Sequence, residues 1–231
     1  AWDIMTATGR INGTDAELQN YIHDGLVDLI LHEVGHTLGL RHNFKASSIY
    51  SIEQLSDPAF TKRYGISGSV MDYQPINIFD GETFFHTKPG AYDYWAIESA
   101  YKQPNRSGKS EKIFLENIAS RTIDPLLSYG TDEDTYGLST SGIDPQSNAW
   151  DLTNDPIGYY EKIFEMSHEL WESIPTYFET EGEQYSKLRR IFGRGLRSYY
   201  SASRNIAKYI GGIYHSRHHI GDPGSENPFI V

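Results

Sequence analysis

The sequence contains no cysteine, so neither a disulfide scaffold nor a thiolate zinc site can form, and cysteine usage gives no indication of the redox compartment. It has no apolar run near the roughly 20 residues that a membrane-spanning helix needs, and no signal peptide. It is also poor in positive charge, with 20 basic against 31 acidic residues and a net charge of −11. Because binding to nucleic acid or to an anionic membrane surface depends on basic patches, we expect neither partner.

The rest of the composition is typical of a folded protein. The 231 residues are 38% hydrophobic and 13% aromatic, which is enough for one sizeable core or two small ones. Because the chain begins with Ala1 and not with Met, we expect it to be an internal piece of a longer precursor, whose export signal would lie upstream.

One segment, HEVGHTLGLRH, has the spacing of a catalytic zinc site. His32 and His36 lie four residues apart, which places them on one face of a helix with Cβ atoms roughly 5 to 6 Å apart. Gly39 can let the chain leave the helix through a left-handed residue, and His42 then returns as the third ligand. Three protein ligands leave one zinc position open for water or substrate, and Glu33 can take a proton from that water.

The helix that carries this segment is predicted over about residues 15–39. Thr14 and Glu17 have the spacing of a capping box at its start. Gly25 indicates a kink or close packing. Apolar residues then recur every four positions and predict a buried stripe, with the histidines facing away from it: Leu18, Ile22, Leu26, Ile30, Val34 and Leu38.

Downstream, residues 69–75 have the sequence SVMDYQP, a short apolar turn closed by proline. With the zinc helix before it, the chain resembles the metzincin clan of zinc metalloproteases. The resemblance implies that Met71 forms an apolar floor beneath the ligands. In the astacin and serralysin branches a tyrosine at the position of Tyr73 can ligate zinc and then stabilise the transition state. Asp72 departs from those branches, which usually have histidine there, so a packing role for Tyr73 is equally open.

Residues 43–47, 91–97 and 144–156 carry a wider resemblance, which covers most of the chain. It is to a less-described family of bacterial, extracellular or periplasmic metzincin-like proteases. It implies an α+β fold, because metzincins place a twisted sheet before the active-site helix. In this chain the fold is expected to be mainly α, because little sequence lies before that helix. Only thirteen residues precede Thr14. Either most of the sheet lies upstream, or residues 2–7 supply one remaining strand.

Three regions are predicted: a metzincin-like catalytic core over residues 1–102, a loop-rich region over 103–156 with a short helix at 109–120, and a helical subdomain over 157–231 with helices within 157–173 and 175–214. Aromatic residues in the last region are expected to pack in a core: Tyr159, Phe164, Trp171, Phe178 and Tyr185. Oxygen-bearing side chains in the loop region allow a calcium site, although solvated acids with Asx turns are favoured: Asp132, Glu133, Asp134, Asp144, Asn148 and Asp151. A second histidine cluster is expected to be a solvated helix end: His215, His218 and His219.

The predicted function is zinc-dependent endopeptidase activity on a protein or peptide substrate, with Zn²⁺ as the cofactor. Two alternatives remain open. One is a non-catalytic zinc-containing binding module, against which the intact Glu33 argues. The other is a zinc hydrolase of a non-peptide amide or ester, which would use the same activation of water. The sequence leaves the oligomeric state open.

Overall fold

The computed structural model describes residues 2–7, 9, 11–79, 82–104, 111–136 and 142–222, and within them it has helices and turns but no β-strand. The helices are α1 (Trp2–Ala7), α2 (Asp15–Thr37), α3 (Ile52–Leu55), α4 (Pro58–Tyr64), α5 (Ala91–Tyr101), α6 (Glu111–Ala119), α7 (Asp132–Tyr136), α8 (Pro156–Ser173) and α9 (Tyr185–Ile206). Short 3₁₀ turns lie at Ala46–Ile49, Ser120–Ile123, Pro125–Leu127 and Ala207–Tyr209, and a π turn spans Ile174–Phe178.

The mainly helical character predicted from the sequence is confirmed, but the alternative of a remaining strand at the start is wrong, because Trp2–Ala7 is a helix. The Trp2 ring packs 5.3 Å from the ring of Tyr21 on α2. No described strand lies beside this segment, and a lone strand would leave its backbone groups unpaired, whereas a helix pairs its own.

Helix α2 begins as predicted and ends two residues earlier. The Thr14 hydroxyl accepts from the Glu17 N–H, and the Glu17 carboxylate accepts from the Thr14 N–H, so the capping box is confirmed. Gly25 marks close packing, since a Cβ there would lie 3.2 Å from the ring of Phe85.

The predicted burial of the apolar stripe on α2 is wrong. Its buried residues are His32 and Gly35, on the face that meets the segment around Met71. In the described part of the chain the opposite face stays about half exposed, so helical periodicity predicted an apolar face correctly but not its burial. Five side chains of the stripe are 41–58% exposed: Ile22, Leu26, Ile30, Val34 and Leu38.

The main core lies where α8 and α9 pack against the segment that follows the third histidine. Its buried members come from all three predicted regions: Tyr50, Leu55, Ile66, Leu152, Tyr159, Tyr160 and Ala202. The division of the chain into those regions stays a prediction. Tyr159 and Phe178 are buried and Phe164 packs against this core, as expected. Tyr185 is 81% exposed at the first position of α9, so the expectation for it is wrong.

The predicted helices of the second half form with shifted bounds. The helix expected at 109–120 is α6, with residues 109 and 110 outside the described part of the chain. The helix expected within 157–173 is α8. The region 175–214 contains α9 preceded by a π turn and an irregular segment, so it is less helical than predicted.

The first turn of α5 holds the segment around Met71. The buried Asp93 carboxylate accepts from the Ser69 hydroxyl at 2.5 Å, from the Val70 N–H at 2.9 Å and from the Gly90 N–H at 2.7 Å. Gly90 packs so closely on the backbone of Gly68 that a Cβ would overlap it. Asp93 therefore fixes this turn. Residues 91–97, for which the sequence analysis gave only a family resemblance, thus have a structural role.

Asp72 and Asp151 join the same turn to the loop region behind it. The Ser47 N–H donates to Asp72 Oδ2 at 2.8 Å, and the Ser47 hydroxyl donates to Asp151 Oδ1 at 2.9 Å. Both carboxyls are buried, and within the described ranges Asp72 Oδ1 has no hydrogen-bond partner. Burial, and then the charge of Asp151, raise the pKa of Asp72 well above its usual range. Burial likewise raises the pKa of Asp151 to about 7.

Replacing Asp93 with alanine should lower the free energy of unfolding by at least about 2 kcal/mol, because three donors lose one charged, buried acceptor. Urea denaturation at neutral pH measures it. Asp24→Ala is the matched control, since Asp24 is exposed on α2 and pairs with the neighbouring His23, and it should change stability by no more than about 0.5 kcal/mol. A loss in Asp93→Ala as small as in the control would contradict the role of Asp93.

The contribution of Asp151 to the free energy of unfolding should be lost as pH rises through about 7. Its pKa is about 7 in the folded chain, above the ordinary value near 3.8, so its contribution is complete below pH ~4 and lost as pH rises through ~7. The wild type should therefore lose stability relative to Asp151→Asn by an amount on the order of a few kcal/mol between pH 4 and 8. Urea denaturation of both proteins in a chelator, across that range, measures the difference, and a difference independent of pH would refute the shift.

Candidate metal centre

Three histidines from the predicted zinc segment meet at one point. His32 and His36 are one turn apart on α2, and His42 follows five residues after the helix ends. One potential ligand atom from each lies within 4.8 Å of the others, and no other group of the described residues could hold a metal ion in this way. The structure thus brings together the three side chains that the sequence nominated as ligands.

The return of the chain to the metal side depends on Gly39. Its φ of 86° lies in the left-handed region that glycine adopts without strain. The Gly39 N–H donates to the His36 carbonyl at 3.0 Å, and the Leu40 N–H donates to the Gly35 carbonyl at 3.1 Å, so the last turn of α2 closes on itself. This is the turn that the sequence predicted at Gly39.

Each histidine is oriented by a hydrogen bond from its Nδ1. The acceptor is the Val70 carbonyl for His32 at 2.7 Å and the Leu40 carbonyl for His36 at 3.0 Å. For His42 it is Asp132 Oδ1 at 2.9 Å. Because carbonyl and carboxylate oxygens only accept, each Nδ1 must carry a proton, which leaves Nε2 with a free lone pair.

The arrangement fits a metal ion. His42 Nε2 is buried and has no hydrogen-bond partner among the residues that the structure describes. A buried nitrogen without a partner costs free energy, and metal coordination would satisfy it. Three imidazoles whose second nitrogens are held by oxygen acceptors form the donor set that zinc uses in open catalytic sites.

Met71 lies against α2 at Gly35, between the positions of the two helical ligands, and its role as the floor of the site stays a prediction. Its side chain is fully buried, and its sulfur approaches α2 so closely that a Cβ at Gly35 would overlap it. The sequence analysis gave Gly35 no role. The sequence did contain a signal for this contact, because only glycine at this position, between His32 and His36, leaves room for the Met71 thioether against the helix.

Tyr73 lies against the histidine cluster, with ring centroids 4.6 Å from His42 and 5.2 Å from His32. Partial burial, followed by the charges of Asp132 and Glu33, raises the pKa of the Tyr73 phenol. The phenol therefore stays protonated at neutral pH and can donate a hydrogen bond. Glu33 is exposed on α2 beside His32.

An exposed aromatic side chain adjoins Tyr73. Trp150 stacks on it with ring centroids 5.8 Å apart, and the backbone N–H of Trp150 donates to the Tyr73 carbonyl at 2.8 Å. Its φ of 67° is unusual for a bulky residue, and its side chain is 60% exposed. The sequence analysis missed Trp150, since no local pattern connects residue 150 with the zinc segment.

The acidic residues of the loop region have protein partners. Glu133 is exposed and Asp132 is partly exposed, as expected of solvated acids, whereas that expectation is wrong for Asp134, Asp144 and Asp151. Asp144 and Asp151 are buried. Asp144 does form the expected Asx turn, accepting from the Gln146 N–H at 2.9 Å. The other partners are His42 for Asp132, Arg41 for Glu133, Arg217 for Asp134, Lys45 for Asp144, and Ser47 and Asn148 for Asp151.

The second histidine cluster is not a helix end. Residues 212–219 have no regular structure, and the His215 N–H donates to Asp144 Oδ2 at 3.0 Å. The Lys45 ammonium donates to the His215 carbonyl at 2.5 Å, so this segment lies against the one that follows the third ligand.

A search of the described helices for a membrane span found none that is both long and apolar enough.

No curated protein and no solved structure shows a significant match to the chain. A sequence profile does match: that of the Met-zincin family aligns with residues 14–231, which include the zinc segment, the Met71 turn and both C-terminal helices. Members of this family use zinc, and the three histidines lie together as a site for it. The chain therefore belongs to the Met-zincin family of metzincin-type zinc metalloproteases.

Proposed function

We propose that this chain is a zinc-dependent endopeptidase catalytic domain. The observation that carries the proposal is the set of three Nδ1 hydrogen bonds, which turn Nε2 of His32, His36 and His42 toward one point beside Glu33. Three ligands leave a position open for reaction, and a structural site would need a fourth protein ligand.

The three Nε2 atoms would hold the zinc ion. Zinc bound there would supply Lewis acidity, which polarises a scissile carbonyl and lowers the pKa of water to about 7. Glu33 would accept a proton from the attacking water and later return it to the leaving amine, so no acyl-enzyme forms. Tyr73, whose phenol stays protonated, would donate a hydrogen bond to the oxyanion of the tetrahedral intermediate.

The substrate would be a protein or peptide. Glu33 is exposed, and the exposed Trp150 stacks on Tyr73, which lies against the histidines, so an extended chain can reach the site. We also propose that the activity lies outside the cytoplasm, because the chain resembles extracellular and periplasmic proteases. Osmotic-shock fractionation of the source cell would test this location. Recovery of the protein in the cytoplasmic fraction would contradict it.

Glu33→Ala should lower kcat/KM on a disordered protein substrate by about 10²–10⁴-fold with zinc content unchanged, because the variant loses the proton acceptor and keeps the ligands. Fluorogenic proteolysis and elemental analysis measure the two quantities. Asp24→Ala, on the same helix and exposed, is the control and should keep full activity. Equal activity in Glu33→Ala and wild type would refute the mechanism.

The alternatives give different results in the same assays. A zinc-loaded wild type that cleaves no member of a diverse peptide library would favour a binding module. Cleavage of a small ester or amide without cleavage of peptides would favour a non-peptide hydrolase.

Trp150→Ala should raise KM by about 2–10-fold with little change in kcat or zinc content, because an exposed ring beside Tyr73 would contact the substrate rather than the reacting atoms. Steady-state kinetics on a substrate with aromatic residues near the scissile bond measures both constants. An unchanged KM would remove Trp150 from the substrate-binding surface.

A further inference from the structure

The third histidine differs from the other two in the nature of its acceptor. His32 and His36 donate to backbone carbonyls close to the site, whereas His42 donates to a carboxylate of a residue 90 positions further along the chain. A carboxylate acceptor is the stronger partner, because the hydrogen bond is charge-assisted. Asp132 is therefore the one orienting group of the site that a side-chain substitution can remove.

Asp132 is held in position by its own helix. It is the first residue of α7, and its second oxygen, Oδ2, accepts from the Thr131 hydroxyl at 3.2 Å. Asp134 Oδ2 accepts from the Thr131 N–H at 2.9 Å, which fixes the start of the helix. With Oδ2 occupied in this way, Oδ1 faces His42.

The loop before α7 is bonded to the segment that carries the third ligand. The Phe44 N–H donates to the Gly130 carbonyl at 2.6 Å, and the Gly130 N–H donates to Asn43 Oδ1 at 3.2 Å. The Asn43 side-chain amide donates to the Ser128 carbonyl at 3.0 Å. These bonds place α7 relative to His42 without using Asp132 itself.

The C-terminal segment holds the other side of α7. The Arg217 guanidinium donates to Asp134 Oδ2 at 2.6 Å, and Lys45 forms an ion pair with Asp144 at 2.6 Å beside the backbone of His215. Both Lys45 and Asp144 are buried. A chain of ion pairs and hydrogen bonds thus runs from residues 215–217 through Asp134 to the helix that presents Asp132.

We propose that Asp132 is a positioning residue of the zinc site, which keeps the proton of His42 on Nδ1, fixes the orientation of the ring and strengthens Nε2 as a ligand. Neutral imidazole carries one proton, so holding it at Nδ1 keeps Nε2 unprotonated for the metal. The carboxylate also adds one negative charge next to the cation site. The inference requires zinc binding by the three histidines but does not require peptide cleavage.

The neighbouring Glu133 provides a matched control. It is also acidic and lies on the same short helix, but its carboxylate accepts from Arg41 at 2.8 and 2.7 Å, and among the described residues it has no hydrogen bond or ion pair with a histidine. Both side chains reach solvent, that of Glu133 more than that of Asp132, at 65% against 42% exposed. A general effect of negative charge near the site would appear in both positions, and an effect through His42 would appear only at Asp132.

The test is the zinc dissociation constant of the full chain, measured by competition with a chromophoric chelator at pH 7.5. Asp132→Ala should weaken zinc binding by about 10–100-fold, as expected for loss of an acceptor behind a metal ligand. Asp132→Asn keeps an oxygen acceptor without the charge and should lie between Asp132→Ala and wild type. Glu133→Gln should stay within about twofold of wild type.

A second readout follows the imidazole directly. Nitrogen chemical shifts of His42 in the metal-free protein should show the proton on Nδ1 in the wild type and in Asp132→Asn, and a mixture of both tautomers in Asp132→Ala. This measurement involves neither metal nor substrate, so inactivity toward peptides would leave it unchanged while refuting the proposed function.

Equal zinc affinity in Asp132→Ala and Glu133→Gln would overturn the proposal, as would an unchanged tautomer of His42 in Asp132→Ala. Circular dichroism shows whether each variant is folded. If Asp132→Ala does not fold, Asp132→Asn decides: affinity lower than that of Glu133→Gln supports the role, and equal affinity overturns it.

Discussion

Three imidazole rings must present Nε2 to one point, and this requirement organises the structure around the site. Each ring is turned by an acceptor from a different part of the chain, at Val70, Leu40 and Asp132. Rotation of any ring would bring a protonated nitrogen toward the cation, so the three acceptors are as necessary as the three ligands. Buried polar contacts elsewhere in the chain hold two of these acceptors, Val70 and Asp132, in place.

The acceptors are held by buried polar contacts rather than by the main apolar core. Asp93 binds the turn that supplies the Val70 carbonyl. Ser47, with Asp72 and Asp151, joins that turn to the loop region. Lys45 and Asp144 connect the segment after His42 with the C-terminal residues. Buried carboxylates are costly unless hydrogen-bonded, so each of these groups is expected to be sensitive to substitution.

The sequence predicted what short-range spacing determines. The capping box at Thr14, the pairing of His32 with His36 and the turn at Gly39 depend on residues a few positions apart, and all three have the predicted geometry. Met71 required a resemblance to a known clan, because nothing in its own neighbourhood connects it with the zinc helix.

What the sequence did not predict depends on distant parts of the chain. Asp132 approaches His42 across 90 positions, and Trp150 approaches Tyr73 across 77 by number, so no periodicity links them. The predicted burial of the apolar stripe on α2 was wrong for a related reason. A periodic pattern identifies an apolar face, but burial requires a partner surface, and in the described residues the metal side of α2 is the one that is covered.

X-ray absorption at the zinc edge of the zinc-loaded protein, combined with an anomalous difference map, tests the central claim most directly. The account predicts one zinc ion bound by Nε2 of His32, His36 and His42 at about 2.0–2.1 Å, with a non-protein ligand in the remaining position. Zinc bound elsewhere, bound through an Nδ1 atom, or closed off by a fourth protein ligand would contradict it.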